Sequence, residues 1–230
     1  MRAFKRAWDK AMPAIAVFDL DGTLCRGDTF LSFLVFTLTR RPARWWRMPL
    51  LGFAVMLYGL RLRDNSWLKG IFLRHVIGGL RERDVAAGCD RFLRRSIWRR
   101  LSNDGMKEVA SRKLGGALVV LATASPDIYV ERLAAMLDIE HVVCTRLERS
   151  PDGRFTGRML GGNCHGPAKH RRVDAFRVAH GAEWADMTCY SDHVSDLGLL
   201  RQAGHAYAVN PTRAFADTCR RQDIAVVAWT

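Results

Sequence analysis

The sequence predicts an α/β fold, a mostly parallel sheet interrupted by an all-helical insertion, and three observations carry that expectation. Short, continuously apolar runs, AIAVFDL at residues 14–20 and ALVVLATAS at 117–125, have the composition of strands covered on both faces. Beyond residue 117, similar runs alternate with helical stretches, the pattern of a parallel sheet with crossover helices. Residues 28–101 between the first two runs show helical periodicity, in FLSFLVFTL, WLKGIFLRHVI and VAAGCDRFLRRSIW, and no competing strand pattern.

Taken in order, the first strand ends in a DGT turn. The second, 117–125, ends in small polar residues, with Ser125 as a helix cap and Pro126 in the first turn of a helix reaching residue 137. Further strands are expected at 141–145 and 185–190, with weaker ones at 205–209 and 224–229. Helices are expected at 104–114, 126–137, 168–180 and 195–203. Pro151-Asp152-Gly153 predicts a hairpin turn within 142–160, beside the active site. Its Arg146, Arg149, Arg154 and Arg158 are either a substrate-attracting ribbon or a solvated one. The chain thus divides into a core, residues 1–26 plus 103–230, and an inserted cap, residues 27–102.

Composition narrows the function. A chain of 230 residues with 49% hydrophobic content can bury a sizeable core, which excludes general disorder. A formal charge of +13 favours anionic partners, whether phosphorylated metabolites, anionic lipid or nucleic acid. Nucleic acid is set aside because no recognition helix, zinc-finger spacing or RNA-binding aromatic strand is present. The six cysteines are scattered, without a CxxC pair, as expected of reduced buried thiols. The basic N-terminus lacks a signal-type apolar run, since Asp19 and Asp21 break it, so the catalytic part is expected to face the cytoplasm.

The chemistry concentrates at predicted strand ends. Asp19 and Asp21 sit two residues apart after the first strand, and open α/β sheets bind ligands at that edge. Such a pair suits phosphate esters: Asp19 as nucleophile forms an acyl phosphate, and Asp21 moves the proton to the leaving alcohol and from the attacking water. Asp192 and Asp196 follow a later apolar run. Asp192 is the better direct Mg2+ ligand, with Asp19 and the Asp21 backbone carbonyl, whereas Asp196 acts through water or holds the loop. Four carboxylates require a compensating cation, and Lys169 in GPAKHRRVDAF supplies one. Thr123 and the amides of Thr123-Ala124-Ser125 can hold the remaining phosphate oxygens. His165, His170 and His193 lie near these segments and are weaker candidates.

FDLDGT at 18–23, LATAS at 121–125, GPAK at 166–169 and YSDHVSD at 190–196 resemble, in order, the four motifs of the haloacid dehalogenase (HAD) superfamily of aspartyl-phosphate hydrolases. The resemblance implies an HAD-like Rossmannoid core with an inserted helical C1 cap, as in the branch that includes phosphoserine phosphatases. It also implies Mg2+ as cofactor and carries the nucleophile to Asp19, acid/base work to Asp21, phosphate binding to Thr123 and Lys169, and metal support to Asp192 and Asp196.

The cap bears on the substrate. No Asp or Glu occurs from residue 29 to 63, whereas Arg40, Arg41, Arg44, Arg47, Arg61 and Arg63 flank an apolar stretch at 48–60 preceded by Trp45 and Trp46. That composition suits substrate or membrane contact at an anionic interface, and the stretch is shorter than the roughly 20 residues of a bilayer span. With CHGPAK and the early cap sequence, it resembles the bacterial phosphatidylglycerophosphatase C family. The resemblance implies removal of the terminal phosphate of phosphatidylglycerophosphate, giving phosphatidylglycerol at the cytoplasmic face of the inner membrane. Two alternatives stand beside it: a soluble phosphatase of phosphoserine, histidinol phosphate or another small monoester, and a catalytically inactive anionic-lipid-binding protein.

Overall fold

All four side chains of β1 (Ile15–Phe18) are apolar and buried, which only a strand covered on both faces permits. The computed structural model describes residues 14–230, so most of the basic N-terminal stretch lies outside the described residues. After β1 come four cap helices, α1 (Thr29–Thr39), α2 (Met48–Gly59), α3 (Asn65–Phe72) and α4 (Glu82–Phe92). The core resumes with α5 (Asn103–Leu114), β2 (Leu118–Pro126), α6 (Asp127–Met136), β3 (His141–Arg149), β4 (Phe155–Leu160) and α7 (Pro167–Ala179). It ends with β5 (Met187–Ser191), α8 (Leu197–Leu200), β6 (His205–Val209), α9 (Arg213–Arg220) and β7 (Ala225–Val227).

The sheet order is β4-β3-β2-β1-β5-β6-β7, parallel throughout except for the antiparallel β3–β4 pair. Side-chain alternation along β1 divides the core. Ala16 and Phe18 pack with Phe33, Val109, Tyr129 and Leu133, while Ile15 and Val17 pack with Val173, Leu199, Phe215 and Cys219 on the opposite face. Each large side chain so buried contributes about 1.5–3 kcal/mol. Register fixes the site: Phe18 stands opposite both Leu121 and Tyr190, so the segments after β1, β2 and β5 emerge along one edge. All six cysteines are buried and free.

The chain leaves for the cap and returns side by side, joined by Arg26 N–H to Arg100 O at 2.9 Å and Ser102 N–H to Leu24 O at 2.9 Å. Asp28 and Asp64 cap α1 and α3 by accepting the N–H groups of Leu31 and Trp67. The α3 and α4 helices each continue into one π-helical turn, Leu73–Ile77 and Leu93–Ile97.

Several expectations change in detail. Pro126 ends β2 with an extended backbone, and α6 begins one residue later. Ser125 does not cap that helix; its hydroxyl turns toward the site. The 195–203 helix is short, a 3-10 turn followed by Leu197–Leu200. The hairpin is present, but its backbone is bonded to the cap: Glu82 N–H to Gly153 O at 2.9 Å, Phe155 N–H to Leu80 O at 2.9 Å and Gly79 N–H to Phe155 O at 2.7 Å. Three of its four arginines are paired with acids, Arg146 with Glu131, Arg149 with Glu82 and Asp127, and Arg154 with Asp152. Arg44 and Arg47 also turn inward. Arg44 donates to the carbonyls of His75, Val76 and Gly78, and Arg47 to that of His75, so both bind the end of the α3 π-helical turn. A guanidinium with five donors satisfies the orphan carbonyls of a helix end. Arg40 lies over the Phe36 ring at 3.6 Å, Trp45 donates to Leu38 O at 2.9 Å, Arg41 is half-buried, and Trp46 is exposed.

Candidate active site

Asp19 continues β1 by one residue, its N–H bonding to Tyr190 O at 3.0 Å, and its side chain is buried. The carboxylate accepts the Leu20 N–H at 2.8 Å and lies 3.1 Å from Lys169 Nζ. Burial pushes its pKa up to about 8, helped by the charges of Asp196, Asp192 and Asp21 and opposed by Lys169. Chain geometry then bends. Gly22, at φ +78, donates its N–H to Cys25 O at 2.8 Å and turns the chain back.

Asp21 is held separately, at the entrance to the cap. It accepts the Thr29 N–H at 2.7 Å and the Ser125 hydroxyl at 2.8 Å. Burial pushes its carboxyl up, with the Thr29 and Ser125 hydrogen bonds opposing, so its protonated form is favoured relative to an exposed aspartate. Thr29 ties this position onward to Tyr129 through hydroxyls 2.9 Å apart.

Thr123 is fully buried, and its oxygen accepts the Ser125 N–H at 3.0 Å. That contact leaves the threonine hydrogen as a donor and removes the Ser125 amide from the expected phosphate cradle. Lys169 lies in the first turn of α7, after Gly166 at φ +54 and Pro167. Its ammonium bonds Asp196 at 2.6 Å as well as Asp19, and these two carboxylates hold it protonated despite burial. Asp196 accepts the Ser191 hydroxyl at 2.8 Å, so it anchors Lys169 and the loop. The Ser191 oxygen also accepts the His193 N–H at 3.4 Å. His193 itself is exposed and binds Ser195.

Asp192 completes the group. Its Oδ1 is buried with no hydrogen-bond partner among the described residues, and burial pushes its pKa up to about 6. A Cβ on Gly22 would stand 2.0 Å from Asp192 Oδ2, so the two segments touch without a side chain between them. An orphaned carboxylate oxygen beside a second buried carboxylate fits a hard cation, which Asp19 and Asp192, with the Asp21 carbonyl that the family resemblance implies, would hold. Among the described residues no three or more His, Cys, Asp or Glu side chains form a metal cluster, and the expected set would need only two carboxylates and a backbone oxygen. Gly22→Ala is expected to displace Asp192, lowering kcat/KM roughly a hundredfold and stability by about 1–3 kcal/mol. Kinetics and thermal unfolding check both, and wild-type turnover in the variant would sink the assignment.

One buried cation beside the site escaped the sequence reading. Lys69 on α3 reaches from the cap into the core, donating to Ala124 O at 2.6 Å and Asn163 Oδ1 at 3.0 Å, 4.9 Å from the Phe30 ring centre. Burial lowers its pKa to about 8, against the charges of Asp21 and Asp28. Among the described residues no carboxylate pairs with it. A signal was available: Lys69 shares the helical stripe of Phe72, Leu73 and Val76, where a charge is out of place without a partner.

The chain is 28% identical over 221 residues to phosphoserine phosphatase SerB1 of Mycobacterium tuberculosis, covering 92% of this chain and 69% of that protein. A Bordetella pertussis protein of unknown function superposes with TM-score 0.83 at 25% identity, covering 94% of this chain and 98% of its own. A phosphoserine phosphatase solved as a phospho-aspartyl intermediate analogue shares the fold, with TM-score 0.64 at 16% identity over 93% of each chain. The haloacid dehalogenase-like hydrolase family matches residues 16–201, and the chain belongs to that family of hydrolases.

Proposed function

We propose that this phosphatase cleaves small phosphate monoesters whose leaving alcohol carries a second negative charge, of which phosphoserine is the first to test. Lys69 carries the reading. A buried ammonium beside the Thr123-Ala124-Ser125 turn, with only neutral acceptors, is an electrostatic site for an anion next to the phosphate position. The likeness to a relative that bears the name phosphoserine phosphatase agrees with it.

In this reading Asp19 attacks phosphorus and the P–O bond to the leaving alcohol breaks. Asp21, whose carboxyl is biased toward its protonated form, gives that oxygen its proton. The same residue then takes a proton from water as the water attacks phosphorus, phosphate departs, and the Asp19 carboxylate is restored. Lys169 and the Thr123 hydroxyl hold phosphate oxygens. Mg2+, when bound by Asp19, Asp192 and the Asp21 carbonyl, neutralises charge between the carboxylates and the phosphate.

Lys69→Met separates substrate recognition from chemistry. It is expected to lower kcat/KM for phosphoserine roughly 10–100-fold and to change p-nitrophenyl phosphate hydrolysis about threefold at most. Equal losses on both substrates would refute the second-anion site. Stability should move the other way. The folded pKa near 8 lies below the ordinary 10.5, so the burial penalty is full below pH 8 and fades as pH rises to about 10.5. That penalty is on the order of 3 kcal/mol. The Thr145 hydroxyl can serve only one of the two acceptors that Lys69 vacates, which costs about 1–3 kcal/mol. A net gain of about 1 kcal/mol is expected at pH 7, turning into a net loss of about 1–3 kcal/mol as pH approaches 10.5.

A second reading is favoured by one specific observation, the exposed apolar and arginine-flanked surface of the cap. A lipid phosphate such as phosphatidylglycerophosphate also places a second anion near its terminal phosphate. Turnover of it in mixed micelles, against phosphoserine in the same Mg2+ buffer, decides between the two.

A further inference from the structure

The α2 helix contains no charged residue and buries only Leu51 and Ala54. Met48, Leu50, Phe53, Val55, Met56 and Tyr58 are exposed, Phe53 to 54%. The flanking turns extend this surface with Trp46, 73% exposed, and with Leu60 and Leu62. A dozen-residue helix of this composition would ordinarily be a core element, and among the described residues none covers most of it. Its ends are basic. Arg40 and Arg41 stand before it and Arg61 and Arg63 after it, while Arg44 and Arg47 are engaged inward, and no acidic residue lies between Asp28 and Asp64.

We propose that this face docks the protein on an anionic lipid bilayer. Apolar side chains enter the headgroup boundary, Trp46 sits at the polar border, and the terminal arginines meet lipid phosphates. No helix among the described residues is long and apolar enough to cross a membrane, so the contact is with one leaflet. Charge argues against a second copy as occupant, because antiparallel pairing of two α2 helices would bring Arg40 and Arg41 of one against Arg61 and Arg63 of the other. An acidic peptide would meet the arginines but would leave the apolar face exposed. The α2 helix packs on α3, the helix that carries Lys69. The inference stands whichever ester is cleaved, whereas the lipid-phosphate reading requires it.

The test is sedimentation of the full chain with vesicles of phosphatidylglycerol and phosphatidylcholine, against vesicles of phosphatidylcholine alone. Binding to the anionic vesicles only, weakened by salt, with tryptophan fluorescence quenched by brominated acyl chains, is the expected result. The Phe53→Ser/Met56→Ser variant should partition roughly tenfold less well and hydrolyse p-nitrophenyl phosphate at the wild-type rate. Absent or charge-independent vesicle binding, or unchanged binding by the variant, overturns the proposal. So does a concentration-dependent dimer that the same substitutions dissolve. Phosphate release is read separately, so loss of docking and loss of the proposed chemistry cannot be confused.

Discussion

Asp19→Asn is expected to abolish phosphate release, by about 10^4-fold or more, while the protein stays folded. An amide lacks the anionic oxygen that attacks phosphorus, and no other carboxylate takes its position: Asp21 is bound by Thr29 and Ser125, Asp196 by Lys169 and Ser191, and Asp192 lies against Gly22. Folding survives because an Asn oxygen still accepts from Leu20 and Lys169, and Lys169 keeps Asp196 as counterion. The pH dependence of stability follows with a definite sign. The Asp19 carboxyl is raised from 3.8 to about 8 in the folded state, so its contribution is full below pH 4 and is lost as pH rises through 8. In chelator-containing buffer the Asn variant lacks that decline, and its advantage over wild type widens from pH 4 to 8. Mg2+ should then raise the melting temperature of wild type more than that of the variant. Phosphate assay and thermal unfolding read the two effects. Residual activity within tenfold of wild type would remove Asp19 from the nucleophilic role.

The parts of the fold legible in the sequence were those in which local pattern and tertiary environment coincide. IAVF can be buried on both faces only in a central strand, and Asp152-Gly153 has few alternatives to a tight turn. The π-helical turns after α3 and α4 were invisible because their apolar spacing continues that of the helices before them. Within the site, the aspartates and Lys169 could be read because each closes a strand or opens a helix at one sheet edge. Lys69 and Ser125 could not, since Lys69 meets Ala124 and Ser125 meets Asp21 across long stretches of chain. The inward bonds of Arg44 and Arg47 were illegible for the same reason: charge pattern records that a cation is present, not that three carbonyls at the end of a distant helix await it.

Lys169→Met should unfold the protein more readily than any other change at this edge. Its side chain lies between Asp19 and Asp196, at 3.1 and 2.6 Å, and removing it leaves two buried carboxylates with hydroxyl and amide partners only. Breaking a buried pair from one side costs about 3–5 kcal/mol, which for a chain of this length lowers the melting temperature by roughly 10 °C. The deficit is one of uncompensated negative charge. Addition of Asp196→Asn should recover much of it at neutral pH, because that carboxylate no longer lacks its counterion. Activity should not return in that double variant, because the cation beside Asp19 and the phosphate remains absent. A double variant that recovered turnover along with stability would make Lys169 a structural counterion to Asp196 alone. Recovery of stability without turnover assigns it both tasks, holding the loop through Asp196 and the reacting phosphate through the same ammonium.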